Sequence, residues 1–142
     1  MLVLGSGIGS IVQVLHKNGC RPRITLIEQD KVVLKWAMEL FDNAHEKSIV
    51  PICMDAERYM EQNTVKYDFV FIDIFNGLEV PEFVCSASFL QLCKDAVAPG
   101  GHVALNYISA DLAKWDIAHK TFTTVFPGSK VIIVDTNKIL AC

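Results

Sequence analysis

Short runs of apolar and β-branched residues recur along the chain, and between them apolar residues are spaced three or four positions apart. The runs are typical of buried strands, whereas the wider spacing is typical of amphipathic helices. The pattern predicts strands at residues 2–4, 24–27, 49–53, 69–74, 102–106 and 131–134. Residues 130–135 and 138–142 flank a Thr-Asn pair, which predicts that the chain ends in two strands joined by a tight turn.

Three stripes of apolar residues have the spacing of a helix face, and we expect them to pack against the sheet. They are Ile8, Ile11, Val12 and Leu15; Val33, Trp36, Ala37, Leu40 and Phe41; and Leu112, Trp115, Ala118, Phe122 and Val125. A further helix is predicted over residues 89–98, ended by the Pro-Gly-Gly sequence at 99–101. The residues placed to cap helices are Asp30, Asp55, either Ser86 or Ser88, and either Ser109 or Asp111.

The alternation of strands and helices indicates the fold class. Parallel strands joined by helices need cover on both faces, and they therefore consist of solid apolar runs. The prediction is an α/β fold: a doubly wound, mostly parallel sheet with an antiparallel C-terminal strand. A length of 142 residues is typical of one domain, so we expect residues 1–142 to form a single unit.

Composition and charge exclude several classes of protein. A hydrophobic content of 51% excludes disorder. No apolar run approaches the roughly 20 residues of a membrane span, and we find no targeting signal at the N-terminus. A net charge of −3 gives no broad attraction to nucleic acid or anionic lipid. We therefore expect a small-molecule acceptor, or alternatively a protein, as the partner, with neither nucleic acid nor membrane involved.

The cysteines and histidines give no sign of a metal site or of a disulfide framework. There are five cysteines without any C-x-x-C pair, and four histidines scattered along the sequence. An odd number of unpaired cysteines in a chain of this size is typical of reduced thiols. We expect a cytoplasmic protein with free thiols and no metal ion.

A glycine-rich sequence, G-S-G-I-G at positions 5–9, lies between the first strand and the first helix. Glycines permit positive φ and a close ligand approach, and free N–H groups at a helix start favour an anion. A tight turn without a ligand is the alternative interpretation. A dinucleotide loop requires glycine or alanine where Ser10 stands, so the loop better fits a nucleoside cofactor without a pyrophosphate.

Carboxylates follow the next two strands. Glu28 comes roughly 20 residues after the loop, where a carboxylate can accept hydrogen bonds from both ribose hydroxyls. The alternative is a solvated residue at a strand end. Asp55 can accept a hydrogen bond from an adenine amine, or it can cap the helix that begins at Ala56, and the two roles are compatible.

The fourth strand ends in a sequence that contains Asp73, Phe75 and Asn76. Ligands of open α/β sheets lie outside the carboxyl ends of the strands, so we expect Asp73 and Asn76 to face the same crevice as the glycine loop and Glu28. Asp73 can instead cap the turn that follows, at Asn76 and Gly77. Phe75 can stack on an adenine or belong to the core.

These motifs together resemble the class I S-adenosylmethionine-dependent methyltransferase fold, and within it the spermidine synthase-like family. The resemblance covers nearly the whole chain. It implies that the loop surrounds the methionine moiety, that Glu28 binds the ribose, and that Asp73 lies near the sulfonium. The cofactor-binding residues that it implies are Gly5, Ser6, Gly7, Gly9, Glu28, Gln29, Asp55, Ala56, Asp73 and Phe75.

The departures from that family favour methyl transfer over aminopropyl transfer. Spermidine synthases carry an aspartate where Ile8 stands, and their D-x-x-D pair is here Asp73 and Asn76. A neutral amide cannot act as a base. We expect Asp73 and Asn76 to be the catalytic residues of a methyltransferase that uses S-adenosylmethionine. The alternatives are an aminopropyltransferase that uses decarboxylated S-adenosylmethionine, and a non-catalytic nucleoside-binding subunit.

The apolar content also bears on the quaternary organisation. In the resembled family a further segment precedes the first strand and covers part of the sheet. We expect some apolar surface of this chain to meet either a second copy or a preceding domain.

Overall fold

Seven strands form one sheet in the computed structural model, which describes residues 1–41, 48–77, 79–109, 111–134 and 137–142. The strands are β1 Leu2–Leu4, β2 Ile24–Glu28, β3 Ile49–Cys53, β4 Tyr67–Ile72, β5 Val97–Ile108, β6 Lys130–Val134 and β7 Asn137–Ala141. The helices are α1 Ser10–Lys17, α2 Lys31–Leu40, α3 Ala56–Gln62, α4 Ala87–Asp95 and α5 Leu112–Val125, with a short 3₁₀ turn at Glu82–Cys85.

The sheet has the order β3-β2-β1-β4-β5-β7-β6. Strands β1 to β5 are parallel, and β7 is antiparallel to both β5 and β6. This confirms the predicted mostly parallel sheet with its antiparallel C-terminal hairpin. Of the predicted Thr-Asn turn, residue 136 lies outside the described residues, whereas Asn137 is the first residue of β7 and not a turn residue. The strand order reverses between β1 and β4, which is the place where open α/β sheets bind ligands.

Helices cover both faces of the sheet. On one face, buried residues of α3, α4 and α5 such as Met60, Leu90 and Phe122 pack against the sheet. On the other face, Val12 of α1 and Leu34 of α2 do the same. Alternate residues of a strand point to opposite faces, and β1 therefore contributes to both layers. The doubly wound arrangement predicted from the sequence is confirmed.

The predicted helix caps are confirmed, and the two open choices are resolved. The Asp30 carboxylate accepts hydrogen bonds from the backbone N–H groups of residues 32 and 33, at 2.7 and 3.2 Å. Asp55 accepts from the first turn of α3 in the same way. Ser86 rather than Ser88 caps α4, and Asp111 rather than Ser109 caps α5. Each cap satisfies N–H groups that have no partner within the helix.

The prediction that the Pro-Gly-Gly sequence ends a helix is wrong. Helix α4 ends at Asp95, and residues 99–101 lie inside β5, where Gly100 has a φ of 79°. Strand β5 begins two residues after α4 ends. The Ala96 carbonyl, between the two elements, accepts a hydrogen bond from the N–H of Tyr67 in β4 at 2.8 Å, and this bond holds the chain against the sheet. The same bond places the start of β4 two residues earlier than predicted.

Some residues predicted to face the core are exposed. Ile8, Trp36, Leu40 and Leu112 are 55%, 54%, 56% and 72% exposed. Ile8 precedes α1 and Leu112 begins α5, whereas Trp36 and Leu40 lie beside a narrower buried stripe on α2. Trp115 packs as predicted, partly buried against Tyr107.

The sheet is not covered along its whole width. The outermost strand, β6, is exposed at every position, and Ile133 is 70% exposed. An edge strand has one paired neighbour, and the helices in the described part of the chain do not extend over this edge.

Candidate functional site

The ends of β1 and β4 meet at the point where the strand order reverses. Gly5, directly after β1, has a φ of 85° and donates its N–H to the Ile27 carbonyl at 2.9 Å. Asp73, directly after β4, donates its N–H to the Leu4 carbonyl at 2.8 Å. A Cβ at position 5 would lie 2.3 Å from the Asp73 carbonyl oxygen. Glycine is therefore required at this position for two reasons, its backbone conformation and the close approach of β4.

The rest of the glycine loop divides into an open side and a packed side. Gly7 has a φ of 45°, and a Cβ there would meet no atom within 4 Å. Gly9 has a φ of 82° and begins α1, and a Cβ there would lie 2.4 Å from the Phe41 ring. Ser6, which precedes Gly7, is buried. Gly7 thus faces open space, whereas Gly9 fixes the helix against its neighbour.

Glu28 binds the underside of this loop. Its Oε2 atom accepts a hydrogen bond from the Ser6 N–H at 3.1 Å, and its Oε1 atom accepts from the Asp30 N–H at 3.0 Å. The Ser6 hydroxyl has one hydrogen, and the Gly7 carbonyl at 2.9 Å is closer to it than Oε2 at 3.3 Å. A carboxylate has about four acceptor positions, so each oxygen of Glu28 retains one for a ligand.

One cavity of about 490 Å³ gathers most of the predicted site. Its floor is formed by the ends of β1, β2 and β4, and its walls by the segments that follow β3 and β4. The predicted residues that line it are Gly5, Gly7, Glu28, Gln29, Asp55, Ala56, Asp73, Phe75 and Asn76. Ser6 and Gly9 do not line it, because Ser6 is buried beneath the loop and Gly9 packs on Phe41.

Two roles were considered from the sequence for each of Asp55 and Phe75: cap or adenine contact for Asp55, and adenine stacking or core packing for Phe75. Asp55 caps α3, because its Oδ1 atom accepts a hydrogen bond from the backbone N–H of Arg58 at 3.0 Å. It also lines the cavity. Phe75 is partly buried in the cavity wall rather than in the centre of the core. Both residues remain placed to contact an adenine.

Asp73 is a second partly buried carboxylate of the cavity, beside Glu28. Burial raises its pKa, and a hydrogen bond donated by Asn106 to Oδ1 at 2.8 Å opposes this rise. The alternative that Asp73 caps the following turn gains no support, since that turn is closed by two backbone hydrogen bonds between Asn76 and Glu79. The Asp73 side chain therefore has an acceptor oxygen beside the cavity.

Sequence reasoning missed several residues of the site. Asn106 is the most important of these, although it is the last residue of the predicted fifth strand and so belongs to the edge of the sheet where ligands bind. The cavity is further lined by Ile27, Asp30, Val33, Met54, Ile74, Pro81 and Phe83. The apolar members look like core residues in the sequence, because only the fold shows that one side of each is open.

A second cavity of about 450 Å³ adjoins the first and shares Asn76 and Pro81 with it. It lies between the segment after β4 and helix α5. Lys114 of α5 and Glu79 form an ion pair at its rim, with 3.4 Å between Nζ and Oε2. Both side chains are more than half exposed, so this pair contributes little to stability.

The residues present fit an adenosyl cofactor. Glu28 retains acceptor positions for ribose hydroxyls, and Gly7 leaves open space at the loop. Phe75 and Met54 give the cavity an apolar wall for a base. In the described residues, no group of three His, Cys, Asp or Glu side chains is arranged to hold a metal ion. None of the described helices is both long and apolar enough to cross a membrane.

The chain is similar in sequence to curated transferases. The chain is 28% identical over 137 residues to the N-terminal histidine N-methyltransferase of Emericella nidulans, covering 92% of this chain and 24% of that protein. It is 26% identical over 106 residues to a probable polyamine aminopropyl transferase of Bifidobacterium longum, covering 74% of this chain and 23% of that protein. The chain thus spans about a quarter of the length of these curated relatives.

Solved structures and family models identify the fold and the family. The crystal structure of human methyltransferase-like protein 13 in complex with SAH superposes with a TM-score of 0.84 and 25% identity, covering 99% of this chain and 69% of that one. This confirms the Rossmann-like methyltransferase fold. The family model described as the spermine/spermidine synthase domain matches residues 1–135. The chain belongs to the spermine/spermidine synthase domain family.

Proposed function

We propose that this chain is a methyltransferase-type domain that binds S-adenosylmethionine and transfers its methyl group to a small-molecule acceptor. The observation that carries the proposal is the cavity at the strand ends, which is lined by Gly5, Gly7, Glu28, Asp55 and Asp73. A relative that is named a methyltransferase, and a structural neighbour that binds SAH, support the methyl transfer and the adenosyl cofactor.

Several residues of the cavity have a part in this function. Glu28 accepts hydrogen bonds from the ribose, and Asp55 with Ala56 contacts the adenine beside Phe75. When bound, the cofactor supplies a methyl group on a sulfonium, which needs no covalent help from the protein. The contribution of the chain is to position the reactants, and good positioning is worth several kcal/mol (about 7 or more in favourable cases).

Asp73 and Asn76 are the residues we assign to the acceptor. The Asp73 carboxylate attracts a polar acceptor and screens the nearby positive charge, and Asn76 hydrogen-bonds the acceptor without adding charge. Because Asn76 lines both cavities, we infer that the acceptor enters from the second one. Glu79 and Lys114 then stand at its entrance.

Aminopropyl transfer is the second candidate, and the family match and the Bifidobacterium longum relative favour it. The neutral Asn76 argues against it, because a diamine must lose a proton before it attacks and an amide side chain cannot accept that proton. The two candidates use the same cavity and differ in what leaves it. Methyl transfer releases S-adenosylhomocysteine, whereas aminopropyl transfer releases 5′-methylthioadenosine.

Mass spectrometry of the products tests the proposal. The protein is incubated with S-adenosylmethionine and a panel of small amines, acids and alcohols, and in parallel with decarboxylated S-adenosylmethionine and putrescine. We expect S-adenosylhomocysteine and a methylated acceptor in the first reaction, both lost in Asp73→Ala. Formation of spermidine in the second reaction, with no methylated product in the first, would reverse the order of the two candidates.

A further inference from the structure

A short chain of amide side chains connects Asp73 to the C-terminal hairpin. Asn106, on β5, donates from Nδ2 to Oδ1 of Asp73 at 2.8 Å. Asn137, at the start of β7, donates from Nδ2 to Oδ1 of Asn106 at 3.1 Å. All three side chains are partly buried. We call this pair of hydrogen bonds the amide ladder.

The strand register explains why these three side chains meet. Phe71 pairs with Ala104 across β4 and β5, and Asn137 pairs with Ile108 across β7 and β5. Paired residues and their alternate neighbours share a face of the sheet. Asp73, Asn106 and Asn137 therefore lie on one face, at the carboxyl end of the parallel strands. The ladder runs across the strands beside the cavity.

The ladder fixes the orientation of the middle amide. A side-chain amide has a donor end and an acceptor end. If Asn106 were flipped, its oxygen would face the Asp73 carboxylate and its NH₂ group would face the NH₂ group of Asn137. Both contacts would be repulsive. Asp73 and Asn137 therefore both favour the orientation in which Asn106 directs its donor towards Asp73, although Asn137 does not line the cavity.

The surroundings make this donor important for the charge of Asp73. Burial raises the pKa of Asp73, and the Asn106 hydrogen bond opposes that effect. On this face β5 and β7 supply neutral amides near Asp73, whereas Lys138 lies on the opposite face with its amine 5.0 Å from the Trp115 ring centre. The other charged residues that line the cavity are all acidic: Glu28, Asp30 and Asp55.

We propose that Asn106 and Asn137 are positioning residues that hold the Asp73 carboxylate in its charged form and leave its Oδ2 atom available to the acceptor. The role in transfer rests on the proposed function. The hairpin thereby has a part in the site, although it lies beyond the strands that form the cavity. The amides act through Asp73 and contact neither cofactor nor acceptor in this assignment.

The proposal is tested by an NMR titration of the Asp73 carboxyl carbon in the protein without ligands. Asn106→Leu removes the donor, and we expect it to raise the pKa of Asp73 so that proton affinity increases by about tenfold. Asn106→Ala removes the same donor with less bulk and replaces the first variant if that variant does not fold. Asn63→Leu, which removes a loop amide bonded to Val65, is the matched control with no expected change.

The hydrogen bond from Asn137 to Asn106 is tested by a double-mutant cycle. Asn137→Leu should raise the pKa of Asp73 by less than Asn106→Leu does, and it should add nothing in the Asn106→Leu background. An unchanged Asp73 titration in Asn106→Leu and Asn106→Ala overturns the proposal. If Asn137→Leu still shifts the pKa of Asp73 in the Asn106→Leu background, Asn137 does not act through Asn106, and that part of the proposal is wrong. The titration needs no cofactor, so its failure is distinct from a failure to bind S-adenosylmethionine.

Discussion

At the scale of single residues, the loop glycines have different physical duties. Gly5 permits close contact between two strand ends, Gly7 leaves open space beside the cavity, and Gly9 accommodates the Phe41 ring. The sequence predicts a glycine turn but does not distinguish these duties, because the atoms opposite each glycine come from distant parts of the chain. The same is true of Asp73, whose partner Asn106 is 33 residues away.

Gly9→Ala should destabilise the protein more than Gly19→Ala. Both glycines have positive φ, 82° and 76°, and alanine in this region costs about 1 kcal/mol. Only at position 9 would the new methyl group also overlap the Phe41 ring, which adds about 1–3 kcal/mol. Urea unfolding of the two variants measures the difference. Equal losses would contradict the packing assigned to Gly9.

Asp73→Asn should stabilise the protein near neutral pH. The pKa of Asp73 is raised from its ordinary value of 3.8 by burial, so ionisation is easier in the unfolded chain and costs native stability. The cost is absent below about pH 3.8 and fully present above the raised pKa. The gain in unfolding free energy should therefore appear as pH rises from acid to neutral.

Urea unfolding of the native protein and of Asp73→Asn across this range measures the gain. Other titrating groups are common to both proteins and cancel in the difference. A difference that does not change with pH would show that burial does not raise the pKa of Asp73.

At the scale of elements, the caps and the alternation of strands and helices were predictable, whereas several boundaries and exposed faces were not. Caps depend on residues within one turn of the helix, as at Asp30 and Asp111. The end of α4 depends instead on the bond between Tyr67 and Ala96, which belong to different elements. The exposure of Trp36 likewise depends on how much of the sheet α2 covers.

Asp111→Ala should lower the free energy of unfolding by about 1 kcal/mol. The Asp111 carboxylate accepts from the N–H groups of Ala113 and Lys114 at 2.8 and 3.2 Å, and alanine cannot replace these bonds. Asp116→Ala is the control, because Asp116 is an exposed residue in the middle of the same helix. Its expected change in the free energy of unfolding is within about 0.5 kcal/mol. Thermal or urea unfolding that ranks the control as the more damaging variant would refute the capping role.

At the scale of the whole molecule, the strand order is what assembles the site. The sequence motifs lie at residues 5–9, 28, 55 and 73–76, and the parallel sheet brings the ends of their strands to one edge. Because that edge is a general property of the fold, most of the cavity could be predicted from the sequence. Its apolar wall could not, since a residue beside a cavity and a residue in the core have the same sequence pattern. Neither could the hydrogen bond from Asn106 to Asp73, since the two residues belong to different elements.

The central claim is that this cavity binds an adenosyl cofactor through Glu28. Isothermal titration calorimetry with S-adenosylhomocysteine, on the native protein, Glu28→Ala and the control Glu39→Ala, tests it most directly. Glu39 is an exposed residue of α2 that pairs with Lys35 and does not line the cavity. We predict binding to the native protein and to Glu39→Ala. Binding to Glu28→Ala should be at least tenfold weaker, which is a loss of about 1.4 kcal/mol in binding free energy. No heat of binding to the native protein at millimolar ligand, or equal affinity in all three proteins, would contradict it.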